Sequence, residues 1–360
     1  FMMDWASVVP ADQPTGREAK DPKDVNGTGP FKFKSYQSGV SWEAVKYENY
    51  WNKGLPHLDG VIVYIIPDRN TGLAAFRAGR LDITAPVYLT VPQYKIIDAQ
   101  MKGQATAYLY ANSFWWNLYM ANDKKPWSDP RVRKAAFMVI DRKQAIETVD
   151  KGFGTTDGVL PPSLGGLTPA ELKNIPGWRE PKSLDIEEAK KLMAEAGYPK
   201  GFKTDIFYRP GGDYESMAIF VRDQLGKLGI ESTISTRPGA AFYDYVYARS
   251  YQTHTHRHPF APASPDTILA QYYRTGGKRN FADVSDKKLD EMIDKQTSTL
   301  DPQERKKQVK AINLYLYENA LASIIHWGNY SQAWQKWVRD FVPGETIYNN
   351  LRFESAWLDK

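Results

Sequence analysis

Three of the chain's five histidines lie in one short segment, His254-Thr-His-Arg-His-Pro-Phe-Ala261. Alternate residues of a β-strand point to the same face, so His254, His256 and His258 should form a row on one face. Imidazoles bind zinc, nickel or copper, and they also gain a proton near neutral pH. Unless the strand bends, the row spans about 13 Å, which is too long for all three rings to reach one ion. Three interpretations therefore stay open: a metal site, a polar cleft wall that is partly protonated near neutral pH, and a structural strand.

A second candidate group is Tyr208-Arg209-Pro-Gly-Gly212, which lies between a predicted strand and a predicted helix that begins near Asp213. Ligands of open α/β sheets sit beyond the carboxyl ends of the strands. A guanidinium group there can donate two hydrogen bonds to a carboxylate, and the helix N-terminus adds favourable partial charge. We therefore predict that Tyr208 and Arg209 contact a ligand. The alternative is an ordinary solvent-exposed arginine in a loop.

Aromatic residues supply the remaining candidates, because flat and stiff side chains line ligand pockets at little entropic cost. In the segment Phe114-Trp-Trp-Asn117, alternation sends Trp115 and Asn117 to one face and Phe114 and Trp116 to the other. We expect one pair to reach a cleft while the other packs inside. Trp115, Asn117 and Phe260 are therefore predicted ligand contacts, whereas Trp127 is predicted to pack in the core.

The composition indicates a two-domain globular protein. The chain has 360 residues, 42% of them hydrophobic, and its formal charge of +5 is spread among interspersed acidic and basic residues, so no nucleic-acid partner is predicted. The absence of cysteine excludes disulfides, thiolate metal ligands and cysteine nucleophiles, and it suits an exported bacterial protein. No apolar run is long enough to span a membrane, and residues 1–15 lack the pattern of a signal peptide. Because the chain opens on Phe1, we expect an internal fragment of a longer protein.

Sequence patterns place these candidates on an α/β framework. Residues 32–36 alternate as a strand, and the unbroken apolar run 61–66 predicts a strand that is buried on both faces. A long surface connection is expected at 154–182, which is rich in Gly and Pro. Strand, helix and strand patterns at 203–208, 213–228 and 230–236 predict a βαβ unit with parallel strands.

Helix signals are clearest where an aspartate precedes an apolar face. Asp68 should cap a helix that ends at Gly79, and Asp141 should start a short helix that ends near Gly152. Asp129-Pro130 and Asp301-Pro302 should start two further helices. A helix at 185–196 should stop at Gly197. The helix that starts at Pro130 should have an apolar face of Val132, Ala135, Ala136, Val139 and Ile140. The helix that starts at Pro302 should have an apolar face of Val309, Ile312 and Leu316.

Six segments carry a family resemblance through their order along the chain. They are Gly27-Thr-Gly-Pro-Phe31 with Tyr50-Trp51, Leu58-Asp59, Ile65-Ile-Pro-Asp68, Ala78-Gly-Arg-Leu-Asp-Ile83, Pro126-Trp-Ser-Asp-Pro-Arg-Val-Arg-Lys-Ala135 with Ile140-Asp-Arg142, and Ala189 through Gly197-Tyr-Pro199. Together they resemble the family 5 extracellular solute-binding proteins, the dipeptide, oligopeptide and nickel receptors of ABC importers.

The resemblance implies a type II periplasmic-binding-protein fold, which is an α/β fold of two lobes with a ligand cleft between them. Lobe I would comprise 1–107 (incomplete at its start) and 327–360, and lobe II would comprise 108–326, with hinges near 107–112 and 325–329. The implied protein is a monomer without a cofactor that captures a small solute by hinge closure. It would deliver the solute to a membrane permease, and it would be periplasmic or extracellular and membrane-anchored, for instance as a lipoprotein.

The resemblance also bears on the ligand. Dipeptide-binding relatives place an Arg-Pro at a point similar to Arg209-Pro210, where it receives the peptide carboxylate. Peptide receptors of the family typically carry an Asp for the peptide amine where this chain has Ala261. An amine buried against alanine loses a charge-assisted hydrogen bond of about 1.5–3 kcal/mol. We therefore expect a carboxylate-bearing or neutral solute, such as a modified peptide, an opine-like acid or a sugar, more than an ordinary peptide.

The main alternative from another class is a secreted carbohydrate-active hydrolase with aromatic sugar platforms and two catalytic carboxylates. The sequence has many carboxylates but no pattern that selects a pair, and it lacks the motifs G-x-S-x-G, H-E-x-x-H and the P-loop. We therefore predict a binding protein rather than an enzyme.

Overall fold

The computed structural model describes residues 27–85, 89–211, 213–238, 240–259, 264–322, 324–343 and 352–360. The chain divides into two units: the first comprises Phe1–Tyr110 and Tyr330–Lys360, and the second comprises Ala111–Asn329. The lobe boundaries expected from the sequence, after residues 107 and 326, lie three residues before these divisions. No helix in the described ranges is long and apolar enough to cross a membrane.

The strands are β1 (Phe31–Gln37), β2 (Ser41–Lys46), β3 (Gly60–Tyr64), β4 (Ala105–Met120), β5 (Gly154–Thr155), β6 (Lys203–Tyr208), β7 (Glu231–Thr236), β8 (Thr253–Pro259), β9 (Ile324–Gln335), β10 (Val338–Arg339) and β11 (Trp357–Leu358). The helices are α1 (Arg69–Arg77), α2 (Val91–Gln100), α3 (Pro130–Val139), α4 (Arg142–Thr148), α5 (Pro169–Leu172), α6 (Ser183–Glu195), α7 (Asp213–Gly226), α8 (Ala240–Tyr247), α9 (Pro265–Ile268), α10 (Lys287–Ser298) and α11 (Pro302–Glu318).

The first unit contains a three-stranded antiparallel sheet in the order β1, β2, β3. Strand β3 lies at its edge, and the side chains of Ile62 and Tyr64 are each 52% exposed. The prediction that this strand is buried on both faces is therefore wrong for the part of the chain described here. An unbroken apolar run shows which side chains tolerate burial, but it does not supply the elements that would cover them.

The second unit is built on a six-stranded sheet in the order β5, β9, β4, β8, β6, β7. Strand β6 runs parallel to both β7 and β8, whereas β4 is antiparallel to β8. The predicted βαβ unit is confirmed as β6, α7 and β7. This topology brings the carboxyl ends of the three parallel strands to the same end of the sheet.

The predicted aspartate caps are confirmed. Asp68 accepts a hydrogen bond of 2.7 Å from the backbone N–H of Thr71, and Gly79 ends α1 with a φ of +72°. Asp129 and Asp301 accept in the same way at the starts of α3 and α11, at 2.8 and 2.7 Å. All residues of the apolar faces predicted for α3 and α11 are buried.

The segment 154–182 is not the surface connection that its Gly and Pro content predicts. Leu160 and Leu172 are 0% and 2% exposed. The backbone N–H of Val159 donates to the Tyr317 hydroxyl at 2.8 Å, and the indole of Trp327 donates to the carbonyl of Gly158 at 2.8 Å. The prediction failed because widely spaced apolar residues hold this irregular segment against the core.

Arg142 occupies a buried cage in the second unit. Its guanidinium donates to the carbonyl of Gly177 at 2.6 Å and to that of Ile324 at 3.3 Å. The rings of Phe137 and Trp178 lie 4.3 and 4.1 Å from the guanidinium carbon. Burial lowers the pKa of Arg142 to about 10, so the side chain stays charged at neutral pH.

Candidate ligand-binding site

Arg209 follows the last residue of β6 and precedes α7, as the sequence predicts. Its side chain is exposed, and its Nη1 lies 3.5 Å from the Tyr214 hydroxyl. The guanidinium carbon lies 5.5 Å from the centre of the Tyr214 ring and 6.0 Å from that of Tyr243. Arg209 makes no ion pair with any acidic residue of the described ranges. This places an uncompensated cation at the carboxyl end of a parallel strand.

Arg257 approaches the same tyrosine from β8. Its guanidinium carbon lies 5.2 Å from the centre of the Tyr214 ring, 4.9 Å from that of Phe114 and 5.5 Å from that of Trp116. Its Nη1 donates to the carboxylate of Asp213 at 3.3 Å, and the two side chains are 18% and 49% exposed. Arg257 is not among the ligand contacts predicted from the sequence, although strand alternation already sends it to the face opposite the histidine row.

Tyr208, the other predicted contact in this loop, is mostly buried, with 8% of its surface exposed. Burial raises the pKa of its phenol, and the nearby Glu215 carboxylate raises it further. The hydroxyl therefore keeps its proton at neutral pH. Tyr208 pairs with Thr255 of β8 and Thr236 of β7, so it forms the last rung of the parallel sheet before Arg209.

The histidine row lies on one face of β8, as predicted. The ring centres of His254 and His256 are 5.3 Å apart, and those of His256 and His258 are 4.6 Å apart. The Tyr119 hydroxyl lies 2.8 Å from His258 Nε2 and accepts a hydrogen bond of 2.8 Å from the Asn117 amide. His256 also stacks on Tyr214, at 5.5 Å between ring centres, which links the row to the arginines.

Burial keeps the histidine row neutral. It lowers the pKa of His254 to about 4, and it lowers the pKa values of His256 and His258 well below the usual range. For His256, the neighbouring histidines, Arg209 and Arg257 lower the pKa further; for His258, Arg279 and His254 do so. The interpretation as a wall that is partly protonated near neutral pH is therefore wrong, because it left out the cost of burying an imidazolium.

The described residues also contain no group of three or more His, Cys, Asp or Glu side chains that is arranged to hold a metal ion. His254 and His258 are 0% and 4% exposed and pack among aromatic rings. A structural strand is the interpretation that this packing favours. A ligand contact by His254, His256 or His258 stays a prediction.

The aromatic segment of β4 alternates as predicted, but neither of its pairs is open to solvent. Trp115 and Asn117 pair with His258 and His256, on the face of the histidine row. The four side chains from Phe114 to Asn117 are 3%, 4%, 0% and 1% exposed. The expectation that one pair reaches a cleft, and with it ligand contacts by Trp115 and Asn117, stays a prediction. Trp127, as expected, is fully buried.

Two residues with predicted roles follow directly after β8. Phe260 and Ala261 lie outside the described residues, so their predicted roles stay predictions.

Asp150 contacts a histidine in the interior of the second unit. It contacts His326 Nε2 and accepts a hydrogen bond of 3.2 Å from the Trp116 indole. All three side chains are buried, with 8% exposure for Asp150 and none for the other two. Such a pair stabilises the interior and is closed to a substrate, so it offers no acid-base chemistry to the hydrolase alternative.

Together, Arg209 and Arg257 can bind an anion. Two guanidinium groups, one tyrosine ring and one half-exposed carboxylate lie where β6 and β8 end and α7 begins. Guanidinium groups recognise carboxylates by paired N–H donors, and aromatic faces hold the cation in place. We call Arg209, Arg257, Tyr214 and Asp213 the arginine site.

Comparison with known proteins gives a family match over most of the chain. The family model described as "Bacterial extracellular solute-binding proteins, family 5 Middle" matches residues 1–280. Heme-binding protein A of Haemophilus influenzae is 27% identical over 307 residues, which is 82% of this chain and 53% of that protein. Glutathione-binding protein GsiB of Escherichia coli is 23% identical over 306 residues, which is 82% of this chain and 57% of that protein. The chain thus spans about half the length of the curated relatives it matches.

Solved structures show the same fold. The periplasmic binding protein AgaA of A. tumefaciens R10, in complex with agropinic acid, superposes with a TM-score of 0.76 at 25% identity and covers 92% of this chain and 67% of AgaA. The binding protein DppA of Helicobacter pylori, in complex with the peptide STSA, gives 0.74 at 23% identity and covers 93% and 63%. The α/β periplasmic-binding-protein fold predicted from the sequence is confirmed.

Proposed function

This chain belongs to the bacterial extracellular solute-binding proteins of family 5, and on that premise we propose that it is part of the substrate-binding component of an ABC importer, with a small carboxylate-bearing solute as its ligand. Arg209 is the residue that anchors the carboxylate. The proposal includes a membrane permease as partner, a periplasmic or extracellular location with a membrane anchor, and a monomeric receptor. Capture of the ligand requires no chemical step. The relatives are binding proteins, and the comparisons give the hydrolase alternative no support.

The observation that carries this proposal is the position of Arg209. An exposed guanidinium without an acidic partner among the described residues follows β6, and the next helix begins four residues later. Ligands of α/β folds bind at this end of the strands. A carboxylate placed there gains paired hydrogen bonds from the guanidinium and partial positive charge from the start of α7.

The ligands named for the relatives have a carboxylate in common but no common molecular scaffold. Heme, glutathione, agropinic acid and a peptide differ in size and shape, but each carries at least one carboxylate. An arginine at the end of β6 can bind a carboxylate on any of these scaffolds. The alanine at position 261, where peptide receptors of the family typically carry an aspartate, argues against an unmodified peptide for this chain.

Replacing Arg209 by glutamine should weaken the binding of carboxylate ligands by about tenfold to hundredfold, because a charge-assisted hydrogen bond is worth roughly 1.5–3 kcal/mol. Isothermal titration with glutathione, succinate, heme, an unmodified dipeptide and a neutral disaccharide first identifies the tightest ligand of the unaltered protein. The variant is then titrated with that ligand. We expect a carboxylate to rank first.

The matched control is Arg222→Gln, which removes the same charge from an exposed arginine on α7 that pairs with Asp223. This variant should bind the ligand as the unaltered protein does. Equal losses in both variants would indicate a general charge effect and contradict the anchoring role of Arg209. Tight binding of the disaccharide alone would contradict the carboxylate class, and tight binding of the unmodified dipeptide would overturn the argument from Ala261.

A further inference from the structure

The arginine site contains a second cation whose place is fixed by aromatic rings. The guanidinium of Arg257 faces Phe114, Trp116 and Tyr214 at 4.9, 5.5 and 5.2 Å from the ring centres. Ring faces stabilise a guanidinium through their quadrupoles and leave its N–H groups in the plane to serve as donors. This cage therefore holds a charged side chain that is only 18% exposed at the end of the sheet.

Both guanidinium groups lie close to the same aromatic ring. Each guanidinium carbon lies within 5.5 Å of the centre of the Tyr214 ring. Both arginines also act on His256, the member of the histidine row that stacks on Tyr214. A single small molecule placed against Tyr214 can therefore reach both cations.

The acidic partner of Arg257 is held weakly. Asp213 accepts a single hydrogen bond of 3.3 Å from Arg257, longer than the 2.7–2.9 Å of a typical charge-assisted bond, and 49% of its side chain is exposed. An ion pair with this long contact and a half-exposed carboxylate contributes little to stability. A ligand carboxylate can thus compete with Asp213 for Arg257. The carboxylate of Glu215, which acts on Tyr208, is another acidic group near this loop.

We propose that Arg257 is a second ligand-binding residue of the arginine site and that the receptor selects ligands with two anionic groups, of the dicarboxylate class. One carboxylate binds Arg209, and the other displaces Asp213 from Arg257. This inference rests on the proposed function, because it adds a second anchor to the one assigned to Arg209. It narrows the proposed ligand class from any carboxylate to a dicarboxylate.

The test compares each diacid from malonate to adipate with its own monoamide, which has nearly the same shape and one negative charge less. Isothermal titration of the protein should show at least one diacid that binds tenfold or more tightly than its monoamide. Replacing Arg257 by glutamine should weaken diacid binding more than monoamide binding and so remove this preference. Arg257→Lys should retain part of the preference, because the charge stays while the planar fork is lost.

Asp213→Asn provides a variant that leaves both arginines and the aromatic cage in place. Removing the competing carboxylate should strengthen diacid binding by about threefold to tenfold and strengthen monoamide binding by less. An unchanged or weaker diacid affinity in this variant would overturn the displacement of Asp213. A thermal unfolding curve for each variant checks that the fold is intact.

Failure of this inference can be told apart from failure of the proposed function. If diacids and monoamides bind equally and Arg209→Gln weakens both, Arg209 is an anchor and the second anchor is refuted. If Arg209→Gln leaves both affinities unchanged, the proposed function of Arg209 is refuted first. If Arg257→Gln weakens monoamides as much as diacids, Arg257 acts on the shape of the site and the dianion inference is wrong.

Discussion

Replacing Arg142 by alanine should lower the free energy of unfolding by roughly 3–5 kcal/mol. This is the range for removal of a fully buried charged group that is the hydrogen-bond partner of other buried groups. The guanidinium satisfies the carbonyls of Gly177 and Ile324 and fills the space between Phe137 and Trp178. Alanine leaves those carbonyls without this donor, and it opens a cavity between the two rings. Urea unfolding followed by tryptophan fluorescence measures the change.

Two variants separate the cage from the charge. Arg142→Lys keeps the charge but loses the planar group that stacks between the rings, so it should recover only part of the stability. Arg222→Ala removes an exposed arginine and should change the stability by less than about 0.5 kcal/mol. A loss below about 1 kcal/mol in Arg142→Ala would show that water replaces the guanidinium in the cage.

Lowering the pH from 7 to 5 should destabilise the protein steeply because of the histidine row. The pKa of His254 is about 4 in the folded chain, and those of His256 and His258 are also well below the value of about 6.5 expected after unfolding. Below pH 6.5 the unfolded chain therefore binds protons that the folded chain does not. Stability is fully present above that pH and falls as the pH drops toward the folded pKa values.

Each such histidine contributes up to about 1.4 kcal/mol per pH unit, so the row contributes up to roughly 4 kcal/mol per pH unit below 6.5. The cationic neighbours Arg209, Arg257 and Arg279 disfavour protonation in the folded state and reinforce the effect. Urea titrations at half-unit steps from pH 7.5 to 4.5 give the slope. Tyr119 and Tyr251, which lie beside the row, keep their protons throughout this range because burial raises their pKa values.

His256→Phe replaces one imidazole of the row by a ring that does not titrate, so the slope should decrease by about one third. His57→Gln is the matched control, because His57 is exposed in the first unit and meets water in both states. A slope that is unchanged in His256→Phe, or one that decreases as much in His57→Gln, would show that the acid sensitivity arises elsewhere in the chain.

Much of this fold is predictable because its signals are local. Asp68, Asp129 and Asp301 each cap a helix within three residues of their own position, and the alternation of residues 253–259 decides which side chains share a face. The location of Arg209 followed from the same reasoning, since strand, turn and helix succeed one another within about ten residues.

What could not be predicted depends on distant residues. Periodicity shows that His254, His256 and His258 share a face, but not that Tyr119, Phe242 and Phe281 cover it and hold the rings neutral. The Gly- and Pro-rich pattern of 154–182 likewise gave no sign of the contacts with Tyr317 and Trp327. The cage of Arg257 required the pairing of β4 with β8, which brings together residues more than 130 positions apart.

The burial of the imidazoles also distinguishes folded from unfolded molecules by their reactivity. Diethyl pyrocarbonate acylates imidazole nitrogens that solvent reaches. In the folded chain His57 is exposed, whereas His254, His258 and His326 are 0%, 4% and 0% exposed. A denatured chain presents all five histidines to the reagent. The number of acyl groups found on each molecule by mass spectrometry therefore reports the unfolded fraction of a preparation directly, without a ligand or a spectroscopic probe.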